Sequence, residues 1–155
     1  MTPMAEAIHQ ISIFHDLSED EASRVAAVCG ERTYHEGEII FVEHTEGNEL
    51  FLILEGEVSI QLELTNQDDV MPLVTLGPGD VFGELSVVDE APRSATARCV
   101  RNASVLVLAK EDFDRLIESD HDLGLKVMRN VAQLVSRRVR QANQKILDNV
   151  SWGMI

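Results

Sequence analysis

The stretch GELSVVDEAPRSAT, residues 83–96, places one arginine beside a strongly acidic part of the chain. Residues 33–92 contain fourteen Asp and Glu and no Lys or Arg, and Arg93 follows directly. Glycine at the start lets a backbone N–H approach a ligand closely, and a helical turn from Glu84 would direct free N–H groups at an anion. Ser94 adds a hydroxyl beside the guanidinium fork, which suits phosphate. The stretch therefore predicts a helical turn, a loop and a cradle for one phosphate.

The same residues also allow an interpretation without a ligand. Arg93 could form a surface salt bridge with Glu84, Asp89 or Glu90, and composition alone leaves both interpretations open. A Walker-type nucleotide loop is excluded, because the stretch has no GxxxxGK[ST] pattern and no lysine.

The rest of the 155-residue chain predicts a single domain, residues 1–155. Residues 1–32 are expected to be helical, with a capping box from Ser18 and Glu21 at the second helix. Residues 33–109 read as short strands punctuated by glycines, with a polar hairpin tip at 66–69. Residues 110–150 return to helix. The predicted class is α+β: a β jelly-roll barrel of about eight antiparallel strands with flanking N-terminal helices and a long C-terminal helix.

The net charge and the short apolar runs exclude several classes of partner and indicate where in the cell the protein acts. The net charge of −14 falls entirely within residues 33–92, and so acidic a surface repels nucleic acid and anionic lipids. The longest apolar runs, LFLIL and VLVLA, are five residues, too short to span a membrane. The N-terminus does not resemble a signal peptide, and the two cysteines have no metal-ligand spacing. We expect a cytoplasmic protein without nucleic-acid or membrane partners.

The stretch resembles a known motif, the phosphate-binding cassette of the cyclic nucleotide-binding domains of catabolite activator protein, kinase A regulatory subunits and cyclic-nucleotide-gated channels. That cassette reads FGEL, a loop, then (P)RxAT, and here FGEL at 82–85 is followed by PRSAT at 92–96 without a gap. The upstream run GEIIF…EGNELFLILEGEVSI, with Gly37, Gly47 and Gly56, also looks like the family's strand region. The resemblance covers residues 10–147.

The resemblance implies roles within a cassette at residues 82–97. Arg93 would bind the cyclic phosphate, Glu84 would accept from the ribose 2′-OH, and the backbone near Leu85 and Ser86 would complete the cradle with Ser94. Asn143 on the long helix would reach the base, cAMP or cGMP being left open. The full set of implied ligand-binding residues is Phe82, Gly83, Glu84, Leu85, Ser86, Arg93, Ser94, Ala95 and Asn143.

The implied function is binding of a 3′,5′-cyclic nucleotide by a stand-alone sensor that signals through its C-terminal helix to an unknown effector. The chain ends at Ile155, and we expect no DNA-reading helix, catalysis, cofactor or metal. A cupin-like metal site would need paired histidines, which His9, His15, His35, His44 and His121 do not provide. A second alternative is a degenerate domain that serves as a ligand-free scaffold.

The long helix is also expected to form a homodimer. Its first half has a wide apolar face, comprising Leu123, Leu125, Val127, Met128, Val131, Leu134 and Val135, and the stripe narrows further along. Heptad positions fall on Arg138 and Lys145, which favours a short two-fold helix pair over a long coiled coil. The basic residues of this helix could also pair with the acidic barrel of a neighbouring chain.

Overall fold

The structure, a computed structural model, describes residues 2–63 and 70–153. Its helices are α1 (Pro3–His9), a short 3-10 helix (Ser12–Phe14), α2 (Glu19–Val28), α3 (Glu84–Asp89), α4 (Lys110–Ser119) and α5 (His121–Gly153). Its strands are β1 (Gly30–Tyr34), β2 (Ile39–Phe41), β3 (Glu49–Glu63), β4 (Val70–Leu76), β5 (Val81–Phe82) and β6 (Thr96–Ala109). The predicted hairpin tip at residues 66–69 lies outside the described residues.

The strands form one antiparallel sheet in the order β1-β6-β3-β4, with β2 also paired to β6 and β5 to β3. The predicted class, an antiparallel β unit with flanking helices and a long C-terminal helix, is confirmed. The described part differs from the prediction in having six strands rather than about eight, in a sheet that is not closed. One reason is that the runs SATARCV and SVLVLA, expected as separate strands, join into the single strand β6, which pairs with β3 through register shifts between its residues 99 and 105.

The two central strands are buried on both faces, which explains their unbroken apolar runs. Leu50 and Leu52 of β3 pack into the core shared with the helices, whereas Phe51 and Ile53 pack into the core enclosed by the sheet. Because side chains alternate between faces along a strand, a run such as LFLIL serves both cores at once.

The N-terminal helical region contains the predicted capping box, but it ends before residue 32, the predicted end. The capping box at α2 is confirmed: the Ser18 hydroxyl accepts from Glu21 N at 3.1 Å, and Glu21 Oε1 accepts from Ser18 N at 2.8 Å. Residues 30–32, predicted as helix, belong to β1. Their backbone pairs with residues 105–107 of β6. The polar run GER does not by itself indicate a strand, so this pairing could not be predicted from it.

The first half of α5 packs on its own chain. Leu123, Val127, Val131 and Leu134 are buried in the core formed with the N-terminal helices. Nearby, Asn130 Nδ2 donates to the Ile13 carbonyl at 3.0 Å. The wide apolar face that favoured a dimer is therefore largely used within the chain. Within the described residues, no helix is long and apolar enough to cross a membrane.

Candidate functional site

A cavity of about 280 Å³ lies between the sheet, α3 and α5. Seven segments meet there: the ends of β2 and β5, strands β3 and β4, helix α3, the segment leading into β6, and the second half of α5. The lining residues are Phe41, Ile60, Leu73, Val74, Phe82, Gly83, Glu84, Leu85, Ser86, Arg93, Ser94, Ala95, Val135, Arg138, Val139, Gln141, Ala142 and Lys145.

The structure brings eight of the nine predicted site residues to this cavity and leaves one outside. The cassette residues from Phe82 to Ser86 and from Arg93 to Ala95 all line it. Asn143, predicted to reach the base, is exposed and is not among the lining residues. Five residues along a helix is a rotation of about 140°, so Asn143 lies well round the helix from Arg138, which does line the cavity.

Helix α3 begins at the glycine of the cassette, as the sequence predicts. Gly83 has φ +82° and forms the N-cap. A Cβ at this position would lie 2.7 Å from Arg93 Nη1 and 2.9 Å from the Glu49 carbonyl oxygen. Glycine is therefore required twice, for its left-handed backbone and for the space that the guanidinium occupies.

Arg93 is buried without an ion-pair partner among the described residues. Only 4% of its surface is exposed. Its Nη1 donates to the Gly83 carbonyl at 3.1 Å and its Nη2 to the Glu49 carbonyl at 3.0 Å, while Nε has no hydrogen-bond partner in the described part of the chain. Within the described residues no carboxylate lies in ion-pair range of it. Burial lowers the pKa of Arg93, and the more distant carboxylates of Glu49 and Glu84 oppose that shift.

Two further residues hold the guanidinium in place. Its Cζ lies 4.1 Å from the centre of the Phe41 ring, a cation–π distance. On another side is Gly47, where a Cβ would lie 2.1 Å from Arg93 Nε and 2.3 Å from Cζ. Gly47 was recognised in the sequence only as part of the resemblance, because its role depends on a side chain forty-six positions away.

Glu84 pairs with a different arginine from the one expected in the ligand-free interpretation. Arg138 Nη1 lies 2.8 Å from Glu84 Oε1, and Arg138 Nη2 donates to the Val81 carbonyl. Glu90 instead pairs with Lys110 at 3.1 Å. The predicted alternative, a surface salt bridge from Arg93 to Glu84, Asp89 or Glu90, is therefore not what the structure contains.

The far part of the cavity is apolar with one cation. Its apolar lining includes Leu73 and Val74 of β4 and Val139 and Ala142 of α5. Lys145 Nζ donates to the Leu73 carbonyl at 3.4 Å, so this lysine closes the wall between helix and sheet. The lining residues carry three cationic groups and one carboxylate, in a chain whose net charge is −14. The cavity is thus a locally cationic, largely apolar site, which suits an anion with a flat apolar part.

Arg138 and Lys145 were missed as site residues by the sequence analysis. Their spacing of seven residues was a usable signal, since it places both on nearly the same face of a helix. It was interpreted only as an interruption of a coiled-coil heptad. Both side chains contact their own sheet.

In residues 2–63 and 70–153, no three His, Cys, Asp or Glu side chains come together in a way that could hold a metal ion.

The sequence profile of the cyclic nucleotide-binding domain family matches residues 31–120, more than half of the chain. The chain is 36% identical over 135 residues to the cyclic AMP receptor protein of Thermus thermophilus, covering 86% of this chain and 60% of that protein. It is also 31% identical to glutaminase 1 of Bradyrhizobium diazoefficiens, over 86% of this chain and only 21% of that enzyme.

The fold gives the same result. A cyclic nucleotide-binding domain from Methylobacillus flagellatus superimposes with a TM-score of 0.82 at 27% identity, covering 94% of this chain and 82% of that one. The residues that the family profile matches include the buried Arg93 and the left-handed Gly83. The chain belongs to the cyclic nucleotide-binding domain family.

Proposed function

We propose that this chain binds one 3′,5′-cyclic nucleotide in the cavity beside α3 and relays binding through α5. The phosphate would lie against Arg93, Ser94 and the first backbone N–H groups of α3, near Leu85 and Ser86. The chain spans 60% of the length of the Thermus relative. The proposal therefore concerns this domain, and its effector is left unnamed.

The observation that carries the proposal is the state of Arg93. Among the described residues, this guanidinium has 4% exposure, one N–H without a partner and no carboxylate in ion-pair range. Such burial of a charge costs free energy unless an anion compensates it. An arginine on the surface would stay hydrated and would not carry that cost. Proteins retain such groups chiefly at functional sites, and a cyclic phosphate brings one negative charge with oxygens suited to the guanidinium fork.

Glu84 is proposed to accept a hydrogen bond from the ribose 2′-OH. Arg138 engages its Oε1, and a carboxylate offers about four acceptor positions. The ion pair therefore leaves room for a hydroxyl donor. It also offsets the repulsion that Glu84 would otherwise exert on a nearby phosphate, which explains how a carboxylate is tolerated beside an anion.

Binding without chemistry is the proposed activity, and cytoplasmic action fits the two free cysteines. The alternative, a ligand-free scaffold, draws support from the Glu84–Arg138 pair, since that pair already satisfies Glu84 in part. It leaves the buried charge of Arg93 unexplained, and for that reason we favour ligand binding.

Titration calorimetry of the purified chain with cAMP and with cGMP tests the proposal. We expect saturable binding of at least one of them, at one site per chain and with micromolar or tighter affinity. If neither produces heat or stabilises the protein against thermal unfolding at millimolar concentration, the scaffold interpretation is correct.

Replacing Glu84 by glutamine is expected to weaken binding by about 1–2 kcal/mol, the strength of a charge-assisted hydrogen bond. The loss should nearly vanish for the 2′-deoxy cyclic nucleotide, which has no hydroxyl to donate. Four calorimetric titrations, wild type and E84Q with each ligand, provide the thermodynamic cycle. Equal losses for both ligands would assign Glu84 a role in holding Arg138 and not in ribose recognition.

We further propose that α5 acts as a lid and as a dimer contact with a second copy of this chain. Arg138 and Lys145 tie its second half to the cavity wall. Val139 and Ile146, seven residues apart on an adjacent face, are 52% and 58% exposed. Since apolar side chains at that spacing suit a two-fold pair of identical helices, the same helix would sense ligand and contact its partner.

Ligand is expected to slow amide exchange in residues 135–147 more than in residues 123–134. The first half of α5 is already held by the core and serves as the internal control. Exchange measured by mass spectrometry, with and without saturating nucleotide, reads this difference. Equal exchange in both states would rule out the lid, and a monomer in sedimentation under both conditions would rule out the dimer.

A further inference from the structure

Among the described residues that line the far part of the cavity, Lys145 is the side chain that distinguishes hydrogen-bonding patterns. The phosphate and ribose positions, at Arg93 and Glu84, leave the region between β4 and α5 for the base. There the walls are Leu73, Val74, Val139 and Ala142, which contact any base equally. Lys145, partly buried, brings a charged donor to this apolar region.

Helix geometry places Lys145 at the opposite end of the site from Glu84. Arg138, which holds Glu84, and Lys145 lie on nearly the same face of α5, about 10 Å apart along the axis. Lys145 Nζ points back to the sheet, where it reaches the Leu73 carbonyl at 3.4 Å. Register between β3 and β4 shifts at this point, from Ile60↔Val74 to Gln61↔Pro72. Leu73 is the extra residue at this register shift.

We infer that Lys145 reads the edge of the base and that the site prefers guanine to adenine. The inference rests on the proposed binding of a cyclic nucleotide. An ammonium group only donates hydrogen bonds, and its three N–H groups can serve the Leu73 carbonyl and a ligand together. Guanine presents two adjacent acceptors, O6 and N7, whereas adenine presents N7 beside an amino group that is itself a donor. The lysine ammonium can therefore donate to both acceptors of guanine, whereas on adenine it meets the amino group, which is also a donor.

The other polar lining residue on this part of the helix does not discriminate. Gln141 carries both a donor and an acceptor, so its amide can serve either base. The predicted base contact, Asn143, is exposed and does not line the cavity. Lys145 is therefore the residue whose chemistry decides between the two bases.

The inference is tested by titrating wild type, K145M and K145R with cGMP, cAMP and cIMP, whose hypoxanthine base has O6 and N7 but no 2-amino group. We expect wild type to bind cGMP and cIMP about tenfold or more tighter than cAMP. K145M keeps the apolar stem and loses the donors, so the three affinities should converge, chiefly by weaker cGMP and cIMP binding. K145R keeps donors and should keep the preference.

Gln144→Met is the matched control, because Gln144 is exposed on the same helix, bonds Asp148 and does not line the cavity. It should leave the affinities unchanged. Wild type preferring cAMP, or K145M keeping the wild-type ratio, would overturn the inference while leaving cyclic nucleotide binding intact. Absence of binding to all three ligands would overturn the proposed function and this inference together.

Discussion

Replacing Arg93 by alanine is expected to reduce cyclic nucleotide affinity by about 2–5 kcal/mol, roughly 30- to 4,000-fold. The phosphate would then enter a partly buried site without its charged partner. Arg93→Lys should also weaken binding, since a point charge replaces a fork that bonds two backbone carbonyls while facing the ligand. Calorimetry of the three proteins with the tighter of cAMP and cGMP measures both effects.

Arg98→Ala is the control for this loss. Arg98 lies on β6 five residues beyond Arg93, donates to the Gly37 carbonyl and does not line the cavity. Arg98→Ala changes the net charge by the same amount as Arg93→Ala. It should leave the nucleotide affinity within about threefold of wild type, as expected for a screened, distant charge. If Arg93→Ala binds nucleotide as tightly as the Arg98 variant, the phosphate site has been assigned to the wrong residue.

A single methyl group at Gly47 is expected to weaken binding by about 10- to 100-fold, the effect of losing or misplacing a charge-assisted hydrogen bond. The added Cβ would lie 2.1 Å from Arg93 Nε, a distance that real contacts do not allow. The guanidinium must then leave its place beside the Phe41 ring. The backbone itself is not strained, because Gly47 does not have the left-handed conformation that Gly83 has.

The double variant Gly47→Ala/Arg93→Ala separates this mechanism from a general loss of fold. If the methyl group acts by displacing Arg93, it should cost almost nothing once Arg93 is alanine, so the two losses will not add. Gly30→Ala is the matched control, since a Cβ there meets nothing within 4 Å. Additive losses would show that Gly47 acts independently of the arginine.

The sequence alone predicted most of the residues that we propose to hold the phosphate, because they are close to one another in the chain. Gly83, Glu84 and Arg93 lie within eleven residues of one another, so a local turn is enough to bring them together. The helix that begins at Glu84 and the capping box at Ser18 are likewise short-range features, decided by backbone preference and neighbouring side chains.

The rest of the site depends on contacts that no local pattern encodes. Arg138 reaches Glu84 across 54 positions, Lys145 reaches Leu73 across 72, and Gly47 makes room for Arg93. The strand number differs for the same reason, because the separately predicted runs SATARCV and SVLVLA join into β6, which pairs with β3 through register shifts.

The sequence by itself thus determined the fold class and the group of neighbouring residues that we propose as a phosphate cradle. Only the tertiary structure decided that Arg93 is buried without an ion-pair partner among the described residues, and that α5 turns Arg138 and Lys145 toward the cavity while Asn143 lies outside its lining. The burial of Arg93 and the rotation of α5 are set by packing against segments that are distant in the chain. A local sequence pattern carries no information about such packing.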